Sequence, residues 1–190
     1  MESKKNLRPA AFLDRDGVIV RDLGYVYRLE DLEILPQAAE TIHELHQLGF
    51  LVIVISNQAG VAKGKYAESD VKAFHLALQA ELIAKTSVGA DAYYYCPHHP
   101  DGTVPAYAIA CDCRKPGIAL LQKAAEDFAI DWSKSFFVGD RRSDIECAEK
   151  AKIPGFQILS GQYEVHPHPF ANIQGLADVL TYARNMKQRS

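Results

Sequence analysis

The sequence predicts an α/β protein, a three-layer α/β/α sandwich of the doubly wound, Rossmann-like type with a mainly parallel sheet, and three observations predict it. Short apolar runs without polar alternation recur along the chain, as expected of parallel strands buried on both faces. Stretches with apolar residues at three- and four-residue steps lie between them, the pattern of helices with one buried stripe. The two kinds of segment alternate with short connections, which places helices on both faces of the sheet. The first strand is Ala10 to Leu13, followed by a helical pattern at Ala38, Ile42, Leu45 and Leu48. Phe50 to Ile55 is the second strand, and Val71, Phe74, Leu78 and Leu82 mark the helix after it. Ala90 to Tyr95 is the third, with Tyr93, Tyr94 and Tyr95 read as strand residues, and a helix at Ile118, Leu121, Ala125 and Phe128 comes next. Ser135 to Val138 and Gly155 to Leu159 complete the set.

Length and charge exclude several classes. A chain of 190 residues with 48% hydrophobic content buries a sizeable core without disulfides, and one domain spanning 1–190 is the expectation. The formal charge of −3, with no run of five like charges, argues against a nucleic-acid partner held by phosphate neutralisation. No apolar run approaches a membrane span, and the basic residues of Met1 to Ala10 lead into no apolar signal region. A cytoplasmic monomer without membrane or nucleic-acid partners is expected.

In such sheets ligands lie outside the carboxyl ends of the strands. Asp14-Arg15-Asp16-Gly17 follows the first strand, Ser56-Asn57-Gln58 ends the second, and Gly139-Asp140-Arg141-Arg142-Ser143-Asp144 follows the fourth. Arg114-Lys115-Pro116 precedes a helix, with Pro116 suited to its first position and its amino end to an anion. Carboxylates gathered from Asp14, Asp16, Asp140 and Asp144 repel unless a cation joins them, and hard oxygen ligands without imidazole suit magnesium. Lys115 adds a positive charge, and Ser56 and Asn57 can donate to phosphoryl oxygens, so the parts of phosphoryl transfer are present. Asp14, directly off the strand, is placed to attack phosphorus, and Asp16 to protonate the leaving alcohol. Plainer readings stand beside these. The D-R-D-G segment alone also reads as a polar turn. Ser143 with Glu146 fits a capping box, and Asp144 in the same first turn suits the helix dipole.

A second cluster carries different chemistry. Cys96, His98, Cys111 and Cys113 offer three thiolates and one imidazole, a four-ligand structural zinc set, with His99 an alternative to His98. The loop between them is long and rich in proline, and zinc would pin it. Cys147 reads as a small packed side chain, and His166 and His168 as loop residues.

Asp14-Arg15-Asp16-Gly17, Ser56, Lys115 and Gly139-Asp140 with Asp144 stand in the order of the four motifs of the haloacid dehalogenase superfamily of phosphatases, which the chain resembles over nearly its whole length. The resemblance implies a nucleophile at Asp14, a general acid/base at Asp16, and phosphoryl-holding groups at Ser56 and Lys115. It implies a Mg2+ site made by the Asp14 and Asp140 side chains and the Asp16 backbone carbonyl, with Asp144 behind them. C-x-H and C-x-C-R-K-P resemble the narrower zinc-bearing group of heptose bisphosphate phosphatases, which implies structural Zn2+ and a phosphorylated sugar as partner. The twelve residues from His99 to Ala110 favour that group over histidinol-phosphate phosphatases, whose loop is shorter. No inserted cap domain is apparent, so Asp22, Gly24, Tyr25, Asn57, Gln58, Lys63, Arg114 and Arg141 are the candidates for sugar hydroxyls and the distal phosphate. Arg114 is favoured for that phosphate through bidentate pairing. The chain departs from the family pattern in Gly117 after Pro116, Ser56 in place of Thr, Lys63 in place of Arg and Arg141 in place of Lys. A phospho-acceptor signalling module, or a zinc protein without catalysis, are the readings from other classes.

Overall fold

The computed structural model describes residues 7–188; the first six residues of the stretch read at Met1 to Ala10 lie outside them. Six strands form one parallel sheet: β1 (Ala10–Leu13), β2 (Leu51–Asn57), β3 (Ala92–Cys96), β4 (Phe136–Gly139), β5 (Gly155–Ile158) and β6 (Ala171–Ile173). Their order across the sheet is β3-β2-β1-β4-β5-β6. Five helices connect or follow them: α1 (Ala38–Gln47), α2 (Glu68–Thr86), α3 (Ala119–Asp127), α4 (Arg142–Lys150) and α5 (Val179–Gln188).

Side chains alternate along each strand, and both faces of β1 are buried. Ala11 and Leu13 join a core that contains Ile42 and Leu45 of α1, Phe74, Leu78 and Leu82 of α2, and Val179 and Ala183 of α5. Ala10 and Phe12 join another with Leu121 and Ala124 of α3 and Cys147 and Ala148 of α4. Three layers result, as the periodicity predicts, and Phe12 packs in the second core between Trp132 and Phe137. Cys147 is buried there as expected.

β6 and α5 were not predicted. Three residues with a half-exposed pattern at the sheet edge carry too weak a signal to be distinguished from loop. Two local readings are corrected. Helix α4 begins at Arg142, and its first turn is capped by the Asp144 carboxylate, which accepts the Arg141 backbone N–H at 3.0 Å. Ser143 therefore lies inside the helix and is not its cap, and Glu146 pairs with Arg142 instead. Pro116 is not the first residue of α3, which starts at Ala119. It follows a cis peptide bond in a turn closed by the Gly117 N–H on the Arg114 carbonyl at 2.7 Å. The chain has to reverse between the cysteine cluster and the helix, and this turn does so.

The sheet order changes direction at β1. The chain moves outward from β1 through β2 to β3, then crosses back to place β4 on the other side. Neighbouring carboxyl ends at such a switch point open a crevice. Leu13 is in register with Val54 on one side and Val138 on the other, so Asp14 and Asp140 emerge side by side.

Candidate active site

Asp14 leaves β1 with its backbone N–H bonded to the Val138 carbonyl at 2.9 Å, which holds it against β4. Its Oδ1 lies 2.8 Å from Lys115 Nζ. The same ammonium is 2.7 Å from Asp144 Oδ1 and donates to the Ile55 carbonyl at 2.7 Å, so two carboxylates and a carbonyl surround it. Burial would lower the Lys115 pKa, yet the Asp14 and Asp144 carboxylates overcome it and hold the group well above its ordinary value. Lys115 stays charged, and a phosphoryl group at Asp14 would meet that charge.

Asp140 completes a trio. Asp14, Asp140 and Asp144 are buried and offer carboxylate oxygens that all lie within 4.8 Å of one another. Both Asp140 oxygens are buried without a hydrogen-bond partner among the described residues. Burial, then the charges of Asp14 and Asp144, push its pKa up to about 8. An orphaned carboxylate in a crowd of hard oxygen donors is what a divalent cation such as magnesium relieves, and the residues fit one. Asp144 is the least free of the three: one oxygen faces Lys115 and the other accepts the Arg141 N–H. It is therefore the least available of the three to a cation. Burial pushes its pKa up to about 6 against the pull of Lys115. Two glycines make the crowding possible. A Cβ on Gly17, whose φ is +78°, would fall 2.0 Å from Asp140 Oδ2, and one on Gly139 would fall 2.2 Å from the Asp144 Cβ.

Asp16 stands apart from the trio. Its carboxylate pairs with both Nε and Nη2 of Arg15, at 2.9 and 3.0 Å, which leaves its backbone carbonyl as the ligand it can offer a metal. Burial raises its pKa against the opposing charge of Arg15.

These groups open on a cavity of about 320 Å³ lined by Asp14, Asp16 and Lys115, among others. Of the residues expected at a substrate, Asp22, Gly24, Tyr25, Asn57, Lys63, Arg114 and Arg141 line it and Gln58 does not. Gln58 and Ser56 are buried behind the wall, where the Gln58 amide donates to Ser56 Oγ at 2.6 Å. The Asn57 side chain is committed to the Lys115 backbone, donating to its carbonyl at 3.1 Å and accepting from its N–H at 2.9 Å. Asp22 is likewise engaged, by the Gly24 N–H, Arg141 Nη2 and the Tyr163 hydroxyl. Burial would raise its pKa, and these donors overcome it. Lys63 donates to the Tyr25 hydroxyl at 3.0 Å. Arg114 is less committed, with Nη1 buried and unpaired among the described residues.

Tyr66, His99, Ser143 and Tyr163 also line the cavity without having been anticipated there. Tyr163 lies beyond the carboxyl end of β5, so looking past every strand end would have found it. Its ring stacks 4.1 Å from the Arg141 guanidinium. Arg15 gave no such signal, because nothing in a D-R-D-G string reveals that the arginine is fully buried.

The sulfur and nitrogen atoms of Cys96, His98, Cys111 and Cys113 converge. Cys113 Sγ is 3.0 Å from that of Cys96, 3.2 Å from that of Cys111 and 3.3 Å from His98 Nδ1. A tetrahedron with zinc–sulfur bonds of about 2.3 Å has edges of about 3.8 Å, so the four ligands would spread by about half an ångström to hold zinc. His99 is turned elsewhere, its Nδ1 accepting the Asp101 N–H. His166 and His168 belong to no such group among the described residues.

The chain matches the HAD-hydrolase-like family over residues 112–181. It is 44% identical over 158 residues to the D-glycero-beta-D-manno-heptose-1,7-bisphosphate 7-phosphatase of Rhodopseudomonas palustris, covering 83% of this chain and 87% of that one. It is 39% identical over 151 residues to the enzyme of the same name from Escherichia coli strain K12, covering 80% and 78%. Among solved structures it is similar to the D,D-heptose 1,7-bisphosphate phosphatase of B. bronchiseptica complexed with magnesium and phosphate. That pair has a TM-score of 0.78 and 26% identity over 96% of this chain and 99% of the other. With these likenesses added to the four strand-end clusters, the chain belongs to the haloacid dehalogenase superfamily of phosphatases, in the family of the heptose-1,7-bisphosphate 7-phosphatases.

Proposed function

We propose that the chain removes the 7-phosphate of D-glycero-D-manno-heptose 1,7-bisphosphate, through a phosphoryl group carried transiently on Asp14. The observation that carries the reading is the contact of Asp14 Oδ1 with a Lys115 ammonium that the Asp14 and Asp144 carboxylates keep charged. An anionic phosphate approaching Asp14 meets one fixed positive charge there and not three carboxylates alone. Magnesium would be held by the side chains of Asp14 and Asp140 and the Asp16 carbonyl, and would supply charge neutralisation and orientation of the phosphoryl group.

The remaining steps belong to side chains. Asp14 attacks phosphorus, and the P–O bond to the sugar breaks. Asp16, whose burial favours the protonated form, gives its proton to the departing alkoxide. Asp16 then takes a proton from the water that attacks the phosphoaspartate, and inorganic phosphate leaves with Asp14 restored. Ser56 and Lys115 hold the transferring group throughout. The unpaired Nη1 of Arg114 supports this residue as the grip on the distal phosphate, with Lys63 and Tyr25 at the rim. The thiolates of Cys96, Cys111 and Cys113 with His98 would hold a structural zinc, one residue from Arg114.

Phosphate release from a panel containing both anomers of the heptose bisphosphate, fructose bisphosphate and histidinol phosphate tests the reading. The β anomer is expected to be preferred, in line with the names of the relatives. A preference for histidinol phosphate would overturn the substrate. A stable phosphoprotein without turnover would favour a signalling module instead. Arg114→Ala should raise KM for the bisphosphate about tenfold or more while hardly changing that for a monophosphate, since a charged pair contributes about 1.5–3 kcal/mol.

A further inference from the structure

At the cavity wall the buried side chains of Arg15, Ser56 and Gln58 join Asp16 and Tyr66, which line the cavity, in one hydrogen-bonded network, and its centre is Gln58. Gln58 Nε2 lies 2.6 Å from Ser56 Oγ and 3.2 Å from Asp16 Oδ2. Gln58 Oε1 lies 2.8 Å from the Tyr66 hydroxyl and 3.3 Å from Arg15 Nη2. One of these partners has a fixed role. A guanidinium only donates, so the amide oxygen must face Arg15 and the amide nitrogen faces Asp16, whose oxygen can accept it in either protonation state. The opposite orientation would set donor against donor at Arg15. Arg15 is itself immobile, fully buried, paired twice with Asp16, bonded to the Val26 carbonyl at 2.6 Å and stacked 4.5 Å over Phe74.

A consequence follows for Ser56. With the amide nitrogen facing it, its oxygen is an acceptor, and its single hydrogen has to be donated elsewhere. We propose that Gln58, clamped by Arg15 and Tyr66, is a positioning residue that leaves the Ser56 hydroxyl as a donor for the phosphoryl group and fixes where the Asp16 carboxyl stands. The inference rests on the phosphatase reading above and adds the group that orients two of its members.

The test replaces Gln58 with Glu, which has the same shape but presents an oxygen to Ser56 and Asp16. That oxygen would capture the Ser56 hydrogen. The probe is p-nitrophenyl phosphate with magnesium, measured for the intact chain, Ser56→Ala, Gln58→Glu and the double variant. Melting is followed in parallel. Each single variant is expected to lose about 10²-fold in kcat with KM within about threefold, as for loss of one oriented donor. The double variant should lose no more than the worse single, because a misdirected Ser56 is already lost. On an alkyl phosphate, whose leaving oxygen needs a proton, Gln58→Glu should lose about tenfold more than on the aryl ester. If Gln58→Glu fails to fold, Gln58→Met takes its place, with the same absence of multiplication expected. Single losses that multiply, equal losses on the two esters, or a folded Gln58 variant with kcat within twofold of the unaltered chain would overturn the proposal. An unaltered chain inert toward phosphate esters would overturn the phosphatase reading as well. An active one with independent losses overturns this inference alone.

Discussion

Lys115 ties the stability of the fold to the proposed chemistry. It is almost fully buried, and the charges that justify its burial are those of Asp14 and Asp144. Removing it as Lys115→Met leaves two anions facing each other in a dry site, which costs about 3–5 kcal/mol. Chemical denaturation without divalent ions should show that loss, and added magnesium should recover part of it. Gly17 makes a sharper case, since a methyl group there collides with Asp140 and the backbone has a φ of +78°. Gly17→Ala is expected to abolish phosphate release while leaving the far-ultraviolet circular dichroism unchanged. Retained activity would mean that Asp140 can move without consequence.

At the level of elements, the site is a product of strand ends and of the helices that face them. Helix α4 receives its amino-terminal cap from Asp144, so the residue that starts the helix also holds Lys115. Helix α2 carries an unexpected core residue. His75 stacks 5.0 Å from Tyr93, with a buried Nε2 that has no partner among the described residues. Burial, aided by the charge of Arg15, lowers its pKa from 6.5 to about 3. A depressed folded-state value means that the unfolded chain binds the proton more readily. The stability this residue contributes is complete above pH 6.5 and falls away as the pH drops toward 3. By pH 5 the loss is about 2 kcal/mol. Denaturation midpoints of the parent and His75→Phe between pH 7 and 5 should diverge by that amount, the variant losing less. Parallel curves would refute the buried neutral imidazole.

Across the whole molecule, the cysteine-bearing loop couples distant parts of the site. Thr103 and Val104 donate to the Ala62 carbonyl at 2.8 and 2.9 Å, and the Ala62 N–H returns a bond to Pro97. The loop thus docks on the segment that carries Lys63, and its last cysteine precedes Arg114 and Lys115. Stripping the zinc proposed for this cluster should lower the melting temperature by about 5 °C or more and weaken substrate binding through Arg114. An unchanged Tm and KM after removal verified by metal analysis would refute that role.

Periodicity alone was enough for the layers, the parallel strands and the strand-end clusters, because burial on two faces demands unbroken apolar runs and ligand sites follow strand ends. The motif residues Asp14, Asp16, Lys115 and Asp140, and the four zinc candidates, were legible for the same reason: their chemistry is inscribed in residue type and spacing. What spacing cannot encode is which partner a polar side chain finds. Asn57, Gln58 and Asp22 carry the composition of substrate ligands, yet the fold brings backbone amides, Ser56, Arg15, Arg141 and Tyr163 within reach first, and those hydrogen bonds engage them. Tyr163 and Arg15 lie in strings with no distinctive pattern and acquire their places only when β5 and β1 are laid side by side with β4. The sequence by itself determined the set of reactive groups. The tertiary structure decided which of them face the cavity and which hold the others still, because hydrogen-bond pairing depends on distances of about 3 Å between residues far apart in the chain.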